Sequence, residues 1–249
     1  MENSDIVHSG HDPLPGTLKA KFNLLGNRMY KQMSEELDIP YLPCGGMVVA
    51  TSDEELKGLD VLYERALKNG LSEEEIVYLS HEDILKKEPN ISDLVQAGLD
   101  LPTTAVTFPW EAAIANMENA MDNGAELKLE TLVTAISKED VFTVETSKGI
   151  FQSKTVVNAS GVYADQVNGL FKPSSYTIKA RRGEYYVLDK HVYEINSVIY
   201  PVPTEKGKGV IITPQYHGNV LLGPTSEFVD IDDMSKTTPA GLEFIKNLA

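Results

Sequence analysis

The sequence predicts a mixed α/β fold with some α+β character, and three observations carry that prediction. The stretch from Gly149 to Asp165 holds an apolar run at 155–157, a break at Asn158-Ala159-Ser160-Gly161 and then a helix start, which is the strand-turn-helix order of α/β units. Before it, segments of helical period alternate with short apolar runs bounded by Gly, Pro, Asn and Asp. After Leu170 the pattern changes to period-2 stretches with Gly- or Asn-rich turns, the mark of a sheet-dominated unit. With 249 residues, 42% of them hydrophobic, there is material for one large or two modest domains with a real core.

In chain order, the first dozen residues carry Ser4, His8, Ser9, Gly10, His11 and Asp12 ahead of Pro13. From Pro15, apolar residues recur at spacings of three and four: Leu18, Phe22, Leu25, Met29, Met33 and Leu37. That predicts an amphipathic helix with this stripe facing the core, ending near Asp38-Ile39-Pro40. Gly45 to Ala50 reads as a strand entered through small residues. Ser52 caps a helix over Asp53–Asn69 that stops at Gly70. Ser80 starts a shorter helix with Glu82 and Asp83 in its first turn and Pro89 beyond its end. Residues 94–101 and 106–108 read as strands, and Pro109 suits the first turn of a helix over 110–122, closed by Asn123-Gly124. Residues 125–130, 133–137 and 142–146 predict a small meander. Further strands are expected over 176–188, 197–202, 209–213 and 219–222, with a last helix from Pro239.

Charge and composition narrow the function. With 37 acidic against 22 basic side chains, the net charge of −15 argues against nucleic acid or an anionic membrane surface as partner. No apolar run approaches the ~20 residues of a spanning helix, and the polar, acidic start Met1-Glu2-Asn3-Ser4-Asp5 does not read as a signal peptide. The lone Cys44 has no partner for an internal disulfide, so a reducing cytoplasm is the expected compartment. At the head of a strand it reads as a small core residue rather than a nucleophile. Neither GxxxxGK[ST] nor GxGxxG occurs, and no metal site is expected.

Three groups of residues could carry chemistry. His8 and His11 flank Gly10 in a segment too short for its own core, where an imidazole could act as a base beside a ligand; a frayed terminus is the competing reading. The turn at 158–161 sits where open α/β sheets receive ligands and where helix N–H groups favour an anion, although an ordinary strand-to-helix turn has the same pattern. Arg181-Arg182-Gly183-Glu184-Tyr185-Tyr186 places two guanidinium groups in an acidic protein. Arginine grips carboxylate or phosphate bidentately, and ion pairing with the excess Asp and Glu competes with that role. His81 reads as a surface residue.

Taken together, Asn3 to Pro13, Leu18 to Asn23, Val156 to Asp165, Arg182 to Tyr185 and Leu221 to Thr225 resemble, in that order, the FAD-dependent oxidoreductases of the D-amino-acid oxidase superfamily. The branch they most resemble is that of anaerobic glycerol-3-phosphate dehydrogenase and L-2-hydroxyglutarate oxidase. The resemblance implies a partial FAD/NAD(P)-binding domain over 1–40 and 105–170, with an antiparallel or mixed substrate-binding sheet over 41–104 and 171–249. It implies FAD as cofactor and hydride transfer from a small anionic hydroxy substrate, glycerol 3-phosphate or a 2-hydroxy acid, while a base takes the hydroxyl proton. By the same resemblance, His8 and His11 are the candidate catalytic residues and Ser9 and Gly10 lie beside the isoalloxazine. Val133 meets the adenine, Ala159, Ser160 and Gly161 run along the pyrophosphate, and Arg182 and Tyr185 face the substrate.

The pattern also departs from the family. Such enzymes open with a strand, GxGxxG and an acidic ribose ligand about 20 residues on, and they close with a substrate-facing strand and a glycine-rich helix N-terminus against the flavin. Neither end is found here, so the chain is expected to be an internal piece, inactive alone, that binds FAD weakly or not at all. The alternatives are a non-catalytic substrate-binding module and an amino-acid oxidase of the same superfamily. The electron acceptor has no signature in these residues.

Overall fold

The computed structural model describes residues 3–191, 194–203 and 209–248. In chain order its elements are β1 (Ile6–Val7), α1 (Leu18–Leu37), β2 (Tyr41–Leu42), β3 (Gly46–Ala50), α2 (Asp53–Asn69), β4 (Val77–Ser80), α3 (His81–Lys87), β5 (Ala97–Leu101), β6 (Ala105–Thr107) and α4 (Pro109–Asp122). There follow β7 (Val133–Lys138), β8 (Phe142–Thr146), β9 (Gly149–Ser153), α5 (Ala164–Gly169), β10 (Arg181–Arg182), β11 (Tyr186–Leu188), β12 (Val198–Pro201), β13 (Ile211–Pro214), β14 (Val220–Gly223), β15 (Glu227–Phe228) and α6 (Pro239–Lys246). They fall into two compact units, one within 1–120, 183–226 and 237–249, the other within 121–182 and 227–236.

The first unit is built on a seven-stranded mixed sheet in the order β11-β14-β13-β12-β3-β5-β4. Only β12 and β3 run parallel; the other neighbours are antiparallel. β3 lies inside the sheet, between β12 and β5, and all five of its residues are buried, which is why Gly46-Met47-Val48-Val49-Ala50 reads as a continuous apolar run rather than an alternating one. Successive side chains leave opposite faces. Val48 and Ala50 join Leu99, Leu101, Val198 and Tyr200 under Leu59, Leu62 and Ala66 of α2. Met47 and Val49 join Ile84 of α3, Leu79 and Ile199 on the other face. A second sheet, β1-β6-β2, carries the amino-terminal segment beside this core.

The close packing has a direct test at Gly98 of β5. A Cβ there would stand 2.6 Å from the Val48 carbonyl oxygen and 3.2 Å from Ile84 Cδ1, and the first of these is backbone that cannot rotate away. Gly98→Ala is expected to destabilise the first unit by about 1–3 kcal/mol, as overpacking does, read as a lowered urea midpoint.

Ser52 and Ser80 cap their helices as expected, and Thr17 and Thr238 cap two more. Thr17, Ser52, Ser80 and Thr238 accept from the backbone N–H three residues on, and Gly70 ends α2 at φ 100°. The face of α1 is a correction. Leu18, Phe22, Leu25 and Met29 are exposed, and the helix instead buries Ala20, Leu24, Asn27 and Ser34. Small residues let α1 lie close to α2, where a Cβ on Gly70 would meet Leu24 Cδ2 at 3.3 Å. Asn27 reaches the Thr103 carbonyl at 2.8 Å.

The second unit contains the antiparallel sheet β7-β8-β9 and the pair β10-β15. The predicted meander is present but shifted along the chain. Residues 125–130 form no strand, and the third strand is Gly149–Ser153, whose register puts Phe151 opposite Val144. Residues 155–157 are also a correction. They were expected as a buried strand, yet they pair with nothing regular and Val157 is 82% exposed. A strand needs a neighbour for its amides, and among the described residues none is offered. The break at 158–161 is formed as expected: Asn158 Oδ1 accepts from the Ser160 N–H, its Nδ2 donates to the Ala164 carbonyl at 2.7 Å, and Gly161 takes φ 56°. The helix beyond it is one 3-10 turn and the six-residue α5.

Candidate active site

The segment after β1 is fixed rather than frayed. Asn69, at the end of α2, donates to the Gly10 carbonyl at 3.0 Å and to the Pro13 carbonyl at 2.7 Å. Arg65 donates to the Asp12 carbonyl at 3.0 Å and faces its carboxylate at 3.8 Å. Gly10 takes φ 98°, a conformation open to glycine and strained for other residues. These contacts hold His8, Ser9 and His11 beside Tyr200 of β12, an inner strand of the large sheet.

The two imidazoles share one neighbour. Ser9 is fully buried and its Oγ lies 3.0 Å from His11 Nδ1. His11 is 4% exposed, and its ring meets that of Tyr200 edge-on at 5.5 Å. His8 is less buried, with Nδ1 3.3 Å from the Tyr200 hydroxyl and ring centroids 5.8 Å apart. Burial pushes the Tyr200 phenol well above its ordinary range, so its oxygen keeps the proton near neutral pH. A small cleft of about 90 Å³ opens here, lined by His8, His11, Asp12, Lys19, Asn23 and Tyr200 among others. It joins two groups able to move a proton to one exposed cation.

A second hollow of the same unit, of about 420 Å³, is lined by Phe108, Trp110, Tyr185, His217, Asp5 and Gln215 among others. Phe108 and Trp110 stack at 4.5 Å. Asp5 is 4% exposed at φ 62°; burial raises its carboxyl pKa and the Gln215 amide opposes that shift. Burial, then the charge of Asp5, pushes Tyr185 up to about 12.

In the second unit, Val133 opens β7 opposite Thr146 and is half-buried. Ala159 and Gly161 are exposed and Ser160 is partly so. A Cβ on Gly161 would meet nothing within 4 Å, which leaves the backbone of this turn open to a flat or extended ligand. Arg182 is 8% exposed; it pairs with Glu227 at 2.8 Å and reaches the Asp233 carbonyl at 3.3 Å. Its guanidinium is thus engaged by a carboxylate, the ion pair that competes with a substrate role. In this unit the exposed turn at Gly161 offers backbone to an extended anionic group, while GxGxxG, the usual pyrophosphate cradle of a dinucleotide, is absent from the 249 residues.

Sequence reasoning missed Tyr200 and Asn69. Tyr200 reads as an apolar strand residue and Asn69 as a helix stop, and nothing local announces a reach to residues 8–13. Cys44 is half-buried beside the main core, and burial pushes its thiol up to about 11, so it is protonated and unreactive near neutral pH. His81 is partly buried, with Nδ1 2.6 Å from the Val95 carbonyl oxygen. Among the described residues no helix is long and apolar enough to cross a membrane.

Comparison with known proteins gives the family and the fold. Residues 2–249 match the family model described as FAD dependent oxidoreductase. A glycerol 3-phosphate dehydrogenase of Caloramator mitchellensis is 41% identical over 249 residues, 99% of this chain and 52% of that protein. An L-2-hydroxyglutarate dehydrogenase of Escherichia coli is 33% identical, covering 90% of this chain and 53% of its own length. The solved structure of the FAD-bound, reduced L-α-glycerophosphate oxidase of Mycoplasma pneumoniae superposes with TM-score 0.92 at 32% identity, over 99% of this chain and 66% of that one. The chain spans about half the length of the curated relatives it matches. On this fold, and on a match that runs nearly end to end, the chain belongs to the family of FAD-dependent oxidoreductases.

Proposed function

We propose that these 249 residues are part of a flavoenzyme, comprising some of its FAD side and its substrate sheet, that oxidises a small anionic hydroxy compound, glycerol 3-phosphate or a 2-hydroxy acid. The observation that carries this reading is the cleft in which His8, His11 and Lys19 come together beside Tyr200. FAD, when bound, supplies the hydride acceptor. His8, the less buried imidazole, takes the hydroxyl proton, and His11, tied to Ser9, packs against the same tyrosine. Lys19 gives the anionic group of the substrate an attractive field at the mouth of the cleft. Asn69 and Arg65 keep the loop from drifting, since a displacement of about 1 Å in such a site can cost about 10² in rate.

For the cofactor, the proposal keeps Ser9 and Gly10 for the isoalloxazine, Val133 for the adenine, and Ala159, Ser160 and Gly161 for the pyrophosphate. Residues 1–40 and 105–170 belong to the FAD side, and 41–104 and 171–249 to the substrate sheet. Tyr185 faces the substrate; Arg182 does so only where an anion displaces Glu227. A cytoplasmic location follows from the lone cysteine. Because the GxGxxG cradle is absent from these residues, the purified 249-residue chain is expected to be colourless and to gain no stoichiometric flavin absorbance on incubation with FAD. Near-stoichiometric flavin would refute that. Anaerobic flavin bleaching by glycerol 3-phosphate, L-2-hydroxyglutarate or D-amino acids in the complete enzyme tests the substrate class; bleaching by amino acids alone would overturn the hydroxy assignment.

A further inference from the structure

Tyr200 is out of place as a core residue. It lies on β12, the middle strand of the large sheet, paired with Val48 of β3, 6% exposed and packed in the main apolar cluster. A phenylalanine would fill the same volume without carrying a hydroxyl into that cluster, where an unmatched polar group is costly. The hydroxyl faces the buried Thr104 side chain and lies 3.3 Å from His8 Nδ1, while the ring edge meets His11, whose Nδ1 is 3.0 Å from Ser9 Oγ.

We propose that Tyr200 is a positioning residue for His8: its hydroxyl, hydrogen-bonded to Nδ1, fixes the imidazole plane and biases which ring nitrogen carries the proton. A neutral imidazole offers one donor and one acceptor, and the bond made by one nitrogen decides the character of the other. Tyr200 thereby sets whether His8 meets a substrate hydroxyl as acceptor or as donor. The catalytic meaning of this bias rests on the reading of His8 as base, but the bias itself is a property of the chain and is measured without flavin or turnover.

The test is the tautomer balance of His8, read from the ¹⁵N shifts of Nδ1 and Nε2 in the 249-residue protein above the imidazole titration, with His8→Gln used to assign the signals. In the wild-type protein one tautomer should dominate. In Tyr200→Phe the ratio should move by roughly two- to tenfold, the size of one neutral hydrogen bond, while the His11 signals, governed by Ser9, stay in place. An unchanged His8 ratio in a folded Tyr200→Phe protein overturns the proposal. Should that variant not fold, equal Nδ1 and Nε2 populations in the wild-type protein overturn it. If the bias is found and His8→Gln leaves turnover of the complete enzyme intact, the base assignment fails and the positioning role stands.

Discussion

In the complete flavoenzyme, His8→Gln is expected to lower kcat by about 10²–10⁴, the range for loss of a general base, with a smaller change in KM. Glutamine keeps a hydrogen-bonding head near the Tyr200 hydroxyl but cannot take a proton, so the loss should fall on the chemical step. His11→Gln is expected to cost less, because His11 is 4% exposed and its Nδ1 is occupied by Ser9. Steady-state kinetics on both variants check the order. A loss below about tenfold for His8→Gln sits under the general-base range and would remove it from the mechanism.

Glu88→Ala is expected to cost about 3 kcal/mol or more of folding free energy, an effect set by geometry far from the cleft. Glu88 is 1% exposed, and its carboxylate accepts from the Ser197 N–H at 2.6 Å, the Ser197 hydroxyl at 2.7 Å and the Asn196 N–H at 2.9 Å. It ties the end of α3 to the entry of β12, the strand that delivers Tyr200. Alanine would leave these donors unpaired, at about 1–3 kcal/mol for each buried one. Glu88→Gln should recover part of the loss, because its amide oxygen still accepts. Urea unfolding of the three proteins gives the comparison, and a loss under about 1 kcal/mol in the alanine variant, below the cost of a single such donor, would contradict the network.

Much of this architecture was legible in the residues. Caps such as Ser52 and the Asn69-Gly70 stop act locally, so α2 is found where its sequence puts it. The apolar run 46–50 declares a buried strand. What was not legible depends on partners remote in sequence. The stripe of α1 has the correct period, yet period cannot say which face meets protein; Leu24 and Asn27 are buried and Phe22 is not. The run at 155–157 has strand composition but no neighbour to pair with. For the site, His8 and His11 stood out by type, whereas Tyr200 and Asn69 act on them only because the sheet and α2 fold back across the loop. Arg182 was ambiguous between ligand and ion pair, and its bond to Glu227 depends on the register of two short strands.

The outward side chains of α1 bear on how this polypeptide behaves in bulk solution. Leu18, Phe22, Leu25 and Met29 form an oily seam along a single cylinder, a place where copies of the molecule would adhere on collision. A net charge of −15 works against that at low ionic strength, holding copies apart by mutual repulsion. Near 1 M salt the reach of that repulsion shrinks to about 3 Å and the seam is left to act alone, so colloidal behaviour should worsen as electrolyte rises.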